Sequence, residues 1–529
     1  MSDNDSVKSS AIEFVDAARE RLSEFHLEIW NYAETAWREY QSAQAYVDLL
    51  NAEGFDVEHG SGGMPTAFAA TWGEGSPVLG SFAEYDAVPG YSQQPVPYRA
   101  QREGLHKWAP GHTDPHSALG VAALAAILAA KHVMQESGLK GTLRFFGEPA
   151  EKVCGSKPVH AAKGYYDGAD AYVMYHPQRC NTTVWETQAG SYWSCVFTFE
   201  ASESEPWIDR DLLIDPDHPH RVPRSPGAID ALCLMYTMTK HTKENMFPHT
   251  ALWTMNEFIM VGGQCTADNH SPKIGQIQYA WRSPSLQIQQ QLYRVLENNA
   301  KRVAQATNTS VHVQWVTKTR IGLANNTLAD LAYRNLQRVG PPKFDEEARQ
   351  FARKVQAELG IPPMEDPFTQ ECQSLTSPQE WEAELRQGIP PWQRNLGSDD
   401  YVEYTWHAPS VRLYTARPMI REQPDRWAHW GSVAMTGYPP TMDPTWIVAG
   451  KTMAATLADL LSQPEILSEA KREFDERTGG GIGGENWIGP LLPQDFKPPI
   501  NLRWPEYITT IRGEEWWIPN SDGYGERLV

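Results

Sequence analysis

Short apolar runs alternate with one long apolar run early in this chain, and that alternation constrains the fold more than any other feature. "PVLGSFAEYD" (77–86) precedes "SALGVAALAAILAAKHVMQES" (117–137), which reads as a helix; "GTLRFFGE" (141–148) and "AYVMYHP" (171–177) follow. Strands alternating with a helix predict an α/β unit built on a largely parallel sheet.

In such sheets, active sites lie outside the carboxyl ends of the strands. Each run here ends in polar chemistry: Glu84 and Asp86 after the first strand, Glu148 and Glu151 after the next, His176 at the third. "WAPGHTDPHSALG" (108–120) adds His112, Asp114 and His116 at alternate positions just before the helix. Extended residues at i and i+2 point to one side, and Pro115 stiffens the loop. Divalent metals in hydrolases need carboxylate and imidazole ligands from separate loops plus a position open to water. Asp114, His116 and His176 are of the right types. The competing reading is a polar loop in which Asp114 or Ser117 caps the helix and the histidines bond to water or backbone. Glu151 could serve as general base, a role suited to a buried carboxylate, or Glu148 and Glu151 could be solvated loop acids.

The chain has 529 residues, 41% of them hydrophobic, which is enough for two compact units. Residues 11–54 show helical spacing of apolar positions (Ala43, Val47, Leu49, Leu50). Residues 1–187 form the first part of an α/β domain. Strands mixed with two long helices set residues 188–320 apart as an α+β unit inserted into that domain, which resumes over 321–465 with an elaboration near 341–394. Residues 466–529 are expected to form an irregular, Pro- and Trp-rich tail. A formal charge of −20 without a basic stripe argues against nucleic acid and anionic membranes as partners. The sequence has no run of about 18 uncharged apolar residues, and its opening lacks a secretory apolar region. A soluble cytoplasmic protein is expected. The six cysteines (154, 180, 195, 233, 265, 372) form no CxxC pair and read as reduced thiols.

The ordered motifs "ETAWREYQSAQAYVDLL", "FAEYDAVPG", "GHTDPHSALG", "PAEK", "YHP" and "AGKTMAATLADLL", spread from Glu34 to Leu461, resemble the M20 metallopeptidase and amidohydrolase family. The resemblance is to the branch that contains the aminobenzoyl-glutamate hydrolases and amino-acid amidohydrolases. It implies a zinc-peptidase-like α/β catalytic domain with an inserted lid and dimerisation domain, a homodimer, and two divalent ions activating a bridging water. It also implies roles: Asp86 orients a metal ligand, Glu151 is the general base, and His116 and His176 are ligands. Asn269 in "GGQCTADNHSP" matches a lid residue that reaches substrate; His112, His270 and Arg282 are further candidate substrate contacts.

Three positions depart from the pattern. Asp114 stands where the branch has a metal-bridging cysteine, which favours a harder ion such as manganese over a thiolate-loving one; the ion expected is manganese or zinc. Lys152 replaces a ligand glutamate; protonated, it cannot coordinate, and its ammonium can stand in for a metal's charge. Asp443 in "TMDPTW" replaces the terminal ligand histidine and could ligate or pair with Lys152. One ion, two, or fewer than usual are all compatible with these changes. Glu403 and His407 are either replacement ligands or structural residues.

The function expected is metal-dependent cleavage of the amide bond of a small N-acyl or N-aroyl amino acid or related amide. The alternatives are altered chemistry on the same scaffold (arylamine deamination, or metal-poor hydrolysis using Lys152) and a non-catalytic binding protein.

Overall fold

The chain opens with three helices, α1 (Asp3–Ala17), α2 (Arg19–Tyr32) and α3 (Tyr40–Ala52), which bury Leu22, Ile29, Ala43 and Leu50. Strands β1 (Asp56–His59), β2 (Phe68–Glu74) and β3 (Val78–Ala83) follow, then α4 (His116–Ser137), β4 (Gly141–Gly147), the short α5 (Lys157–Ala162), β5 (Ala171–Gln178) and β6 (Thr182–Thr183). This computed structural model describes residues 3–105, 109–201, 226–247, 249, 251–263, 272–422, 430–502, 508–510, 513–515 and 526–528.

The chain divides into two compact units, the first comprising residues 1–188, 322–394 and 400–496. Its later part contributes α8 (Asn326–Val339), α9 (Glu346–Glu358), α10 (Gln370–Gln373), α11 (Pro378–Gln387), β11 (Ser410–Ala416), α12 (Trp430–Thr436), α13 (Pro439–Ser462) and α14 (Pro464–Thr478). The sheet runs in the order β1-β2-β4-β3-β5-β11-β6. Its centre, β4-β3-β5-β11, is parallel, and antiparallel strands flank it. The α/β expectation is therefore met. Because β4 lies on one side of β3 and β5 on the other, the β3-to-β4 and β4-to-β5 crossovers run in opposite directions and open a crevice at the carboxyl end of β3.

The helix α4 is long and apolar enough to cross a membrane, yet nearly all of its apolar length is buried inside the protein. It packs close to β3 at Gly120, where an added Cβ would sit 2.2 Å from the Tyr46 hydroxyl and 2.9 Å from Ala83 Cβ. That close approach carries the start of α4 into the crevice.

The second unit, residues 189–321, 395–399 and 497–529, is a sheet in the order β14-β10-β7-β9-β8. Its elements are β7 (Ser191–Glu200), α6 (Ala228–Met246), β8 (Thr254–Val261), β9 (Ile274–Ser283), α7 (Leu286–Thr307), β10 (Ser310–Lys318) and β14 (Glu526–Arg527), with a β12–β13 hairpin (Ile508–Thr510, Gly513–Glu515). Two long helices on an antiparallel sheet match the α+β texture of the sequence. One expectation is corrected: the tail from 466 begins as a helix, because α14 has Pro464 at its first turn and a Glu473–Arg477 pair at i, i+4 (2.9 Å). The five described cysteines are free, and all but Cys233 are buried.

Candidate active site and metal centre

Four strand ends supply the site. β3 and β4 pair in register to Ala83 and Gly147, and the Glu148 N–H donates to the Ala83 carbonyl (2.9 Å), so the acids after both strands emerge side by side. From β3 come Glu84 and Asp86, both wholly buried. From β4 comes a tight turn, Glu151–Val153, flanked by Ala150 (φ 57°) and Cys154 (φ 50°). Left-handed backbone at two non-glycine residues costs about 1 kcal/mol or more each and persists only where the surroundings enforce it. His176 lies near the end of β5, and Arg417 follows β11.

His116 is the hub. Its Nδ1–H donates to Asp86 Oδ1 at 2.7 Å, which leaves the Nε2 lone pair facing Glu151 Oε2 (3.2 Å), Glu84 Oε2 (3.3 Å) and Asp114 Oδ2 (4.0 Å). His176 is set likewise: Nδ1–H donates to the Pro177 carbonyl at 2.7 Å, and Nε2 faces Asp114 Oδ2 at 3.5 Å. Asp86 also takes the Lys152 backbone N–H on Oδ2 (2.8 Å), so one carboxylate fixes both the imidazole and the turn. Burial works against ionisation of Asp86, but the His116 hydrogen bond and the nearby Lys152 outweigh it and hold its pKa below the usual carboxylate value. No side chain caps α4, whose N-cap is Pro115, so Asp114 and Ser117 do not act as caps.

Peptidase family M20/M25/M40 matches residues 82–385. The chain belongs to this family. It is 26% identical over 474 residues to a p-aminobenzoyl-glutamate hydrolase chain of Escherichia coli (strain K12), covering 88% of this chain and 94% of that one. It is 24% identical over 358 residues to the Xaa-Arg dipeptidase of Mus musculus, 65% of this chain and 74% of that one. The fold matches the crystal structure of the aminobenzoyl-glutamate utilization protein from Klebsiella pneumoniae with a TM-score of 0.54 at 13% identity, over 85% of this chain and 98% of that one. Membership makes the chain a hydrolase of amide or peptide bonds.

The departures from the family pattern have definite places. The Lys152 Nζ donates to His116 Nε2 at 2.8 Å and lies 3.5 Å from Asp114 Oδ2 and 3.6 Å from Glu151 Oε2. Burial disfavours its charge, but Asp114, Glu151, Asp86 and Glu84 outweigh burial and raise its pKa above the ordinary lysine value. The Lys152–Asp443 ion pair anticipated from the sequence does not form. Asp443, on the first turns of α13, instead accepts from Ser23 Oγ (2.9 and 3.0 Å) and Trp446 Nε1 (2.8 Å). Its short side chain is satisfied by neighbours on its own helix and on α2, and burial raises its pKa.

The donor chemistry tests how much metal the residues suit. Ligands about 2.1 Å from a shared tetrahedral ion lie about 3.4 Å apart, close to the 3.5 and 4.0 Å from Asp114 to the two imidazoles. The cation that the structure places among these donors is the Lys152 ammonium, which fills the His116 Nε2 lone pair at 2.8 Å; a divalent ion held by Asp114, His116 and His176 would have to displace it. Of the other two expected positions, a protonated Lys152 has no lone pair to offer, and Asp443 is hydrogen-bonded to Ser23 and Trp446.

Other candidates lie elsewhere. His112 is fully buried, its Nε2 3.4 Å from the Ile29 carbonyl, and burial lowers its pKa to about 3; it backs the loop rather than facing a substrate. His407 bonds to Asp167 (2.8 Å) and meets Tyr166 edge-on, and Glu403 is buried in the turn Asp400–Trp406; neither joins the ligand cluster among the described residues. Arg282, in the second unit, stacks over Tyr192 (4.8 Å). Asn269 and His270 lie outside the described residues.

Sequence reasoning assigned no role to Glu84, Lys157 or Asp400. Lys157, wholly buried, bridges Glu84 Oε1 and Asp400 Oδ1 at 2.7 Å each, and these acids raise its pKa well above the ordinary value despite burial. Glu84 had a signal in "FAEYD", two residues before Asp86 and so on the same side of the chain. Asp400 had none, since its partner is 243 positions away.

Proposed function

We propose that this chain cleaves the amide bond of a small N-acyl or N-aroyl amino acid, or a related amide, with Glu151 as general base. The observation that carries the reading is the approach of Glu151 Oε2 and Asp114 Oδ2 to His116 Nε2, at 3.2 and 4.0 Å, in the crevice beside β3. The substrates named for the two relatives, an aroyl-glutamate and Xaa-Arg dipeptides, share an amide bond to an amino acid, and that shared bond defines the proposed substrate class.

Asp114, His116 and His176 would hold a divalent ion, manganese or zinc, whose chemistry is to polarise the carbonyl and acidify water. The remaining work belongs to side chains. Glu151 takes the proton of the attacking water and returns it to the departing amine. Asp86 keeps His116 in the tautomer whose Nε2 faces the site. Negative charge developing on the carbonyl oxygen meets the Lys152 ammonium. In a chain of net charge −20, carboxylate recognition has to be local.

The active species is proposed to be a cytoplasmic homodimer. Support for the dimer is the edge strand β8, where Phe258 and Ile259 are half exposed.

Glu151→Gln keeps the size of the side chain and removes the base. On p-aminobenzoyl-glutamate and a panel of N-acyl amino acids, kcat is expected to fall by about 10²–10⁴ with KM little changed. Full turnover by this variant would end the assignment.

A further inference from the structure

We propose that Lys152 is a tethered rival of the catalytic ion: its ammonium holds the imidazole lone pair that the ion needs, so a divalent ion enters only by turning the lysine out. The inference rests on the amidohydrolase reading above and adds what sets the affinity of the site for its ion.

Occupancy is the first argument. The Nδ1–H of His116 is committed to Asp86 Oδ1 at 2.7 Å, which leaves one lone pair, on Nε2. The Lys152 Nζ takes it at 2.8 Å, and one lone pair serves one partner, an ammonium proton or a metal ion. The same ammonium lies 3.5 Å from Asp114 Oδ2 and 3.6 Å from Glu151 Oε2, so it also stands against a second candidate ligand and the proposed base. The groups that draw the ammonium in are those that would draw an ion in. Loading is therefore an exchange of one cation for another.

Tethering is the second. The Lys152 backbone N–H is held by Asp86 Oδ2 at 2.8 Å, in the turn Glu151–Val153 between the left-handed Ala150 and Cys154. Asp86 thus fixes both the imidazole and the root of its rival. A rival on the same chain competes at an effective concentration that dilution does not lower.

A way out is the third. The Lys152 side chain is 22% exposed, whereas that of Lys157, locked between Glu84 and Asp400 at 2.7 Å each, is 0% exposed. A flexible four-carbon stem whose root stays fixed can swing its ammonium towards water without moving the turn. Released from His116, that ammonium can meet the carbonyl oxygen of the substrate.

Competition titrations of the full, metal-depleted chain with Zn(II) against a chromophoric chelator give the affinities of the wild type and Lys152→Met. The variant is expected to bind Zn(II) at least about tenfold more tightly, the least that a hydrogen bond to a charged group is worth. Equal or weaker binding by a variant that unfolds as cooperatively as the wild type overturns the inference. Crystal structures of the wild type without and with Zn(II) read the exchange directly and do not depend on the variant: Nζ should rest on His116 Nε2 in the first and leave it to the ion in the second. Zn(II) bound elsewhere with the lysine unmoved overturns the rival role and leaves the amidohydrolase reading intact. Failure of both proteins to bind Zn(II) or Mn(II), with hydrolysis that survives chelators, would overturn the metal reading and the inference with it. A Zn(II)-loaded chain that turns over no amide would instead sink the amidohydrolase reading while the exchange itself stands.

Discussion

Residue by residue, two lysines organise the acids of the crevice, Lys152 half-buried and Lys157 wholly buried. Lys157 carries the clearest stability consequence, because the carboxylates it bridges, Glu84 and Asp400, are as completely buried as it is. Removing one member of a buried ion set strands the others without solvent or counter-charge, at a cost of about 3–5 kcal/mol. Lys157→Met should therefore lower the urea midpoint strongly at neutral pH. Adding Asp400→Asn to it should recover part of the loss, because one stranded charge disappears. A Lys157→Met protein as stable as the wild type would show that the bridge contributes nothing to stability. Glu148 forms a neighbouring buried set: its Oε1 accepts from His160 Nδ1 (2.9 Å), Tyr166 (2.7 Å) and Tyr404 (2.6 Å), and although burial opposes ionisation these partners lower its pKa to about 2.

Between elements, α2 is held to the end of α12 by a titratable contact. The His26 Nε2–H donates to the Thr436 carbonyl at 3.0 Å, and burial lowers the His26 pKa to about 4 from 6.5. The unfolded chain therefore takes up a proton here at a pH where the folded chain does not. The contribution is complete above the unfolded value near 6.5, declines as pH falls, and reaches its limit near 4, at a total cost of about 3 kcal/mol. Urea midpoints of the wild type should drop between pH 7 and 4.5 more steeply than those of His26→Phe. Parallel pH profiles for the two proteins would mean that His26 is not the proton acceptor. Packing between elements also explains α4: an all-round apolar helix finds no solvent face, and the approach permitted at Gly120 delivers His116 into the crevice.

For the molecule as a whole, the proposed homodimer has its own test. Light scattering should give twice the chain mass for the wild type and the chain mass for a variant carrying Phe258→Lys and Ile259→Lys, since charge on an edge strand blocks pairing. A monomeric wild type would remove the proposal. Periodicity and near neighbours along the chain were enough to read the α/β core, the inserted α+β unit, the strand-end positions of Asp86, Glu151 and His176, and the place of Asp114 just before the long helix. They also marked Lys152 and Asp443 as departures. What those departures do became legible only in three dimensions: Lys152 turns inward to the imidazole of His116, while Asp443 is drawn to Ser23 and Trp446. The Glu84–Lys157–Asp400 bridge likewise emerged only from the folded chain. Charge pairing inside a core depends on which distant groups share a dry pocket, and no local pattern along the chain encodes that distance.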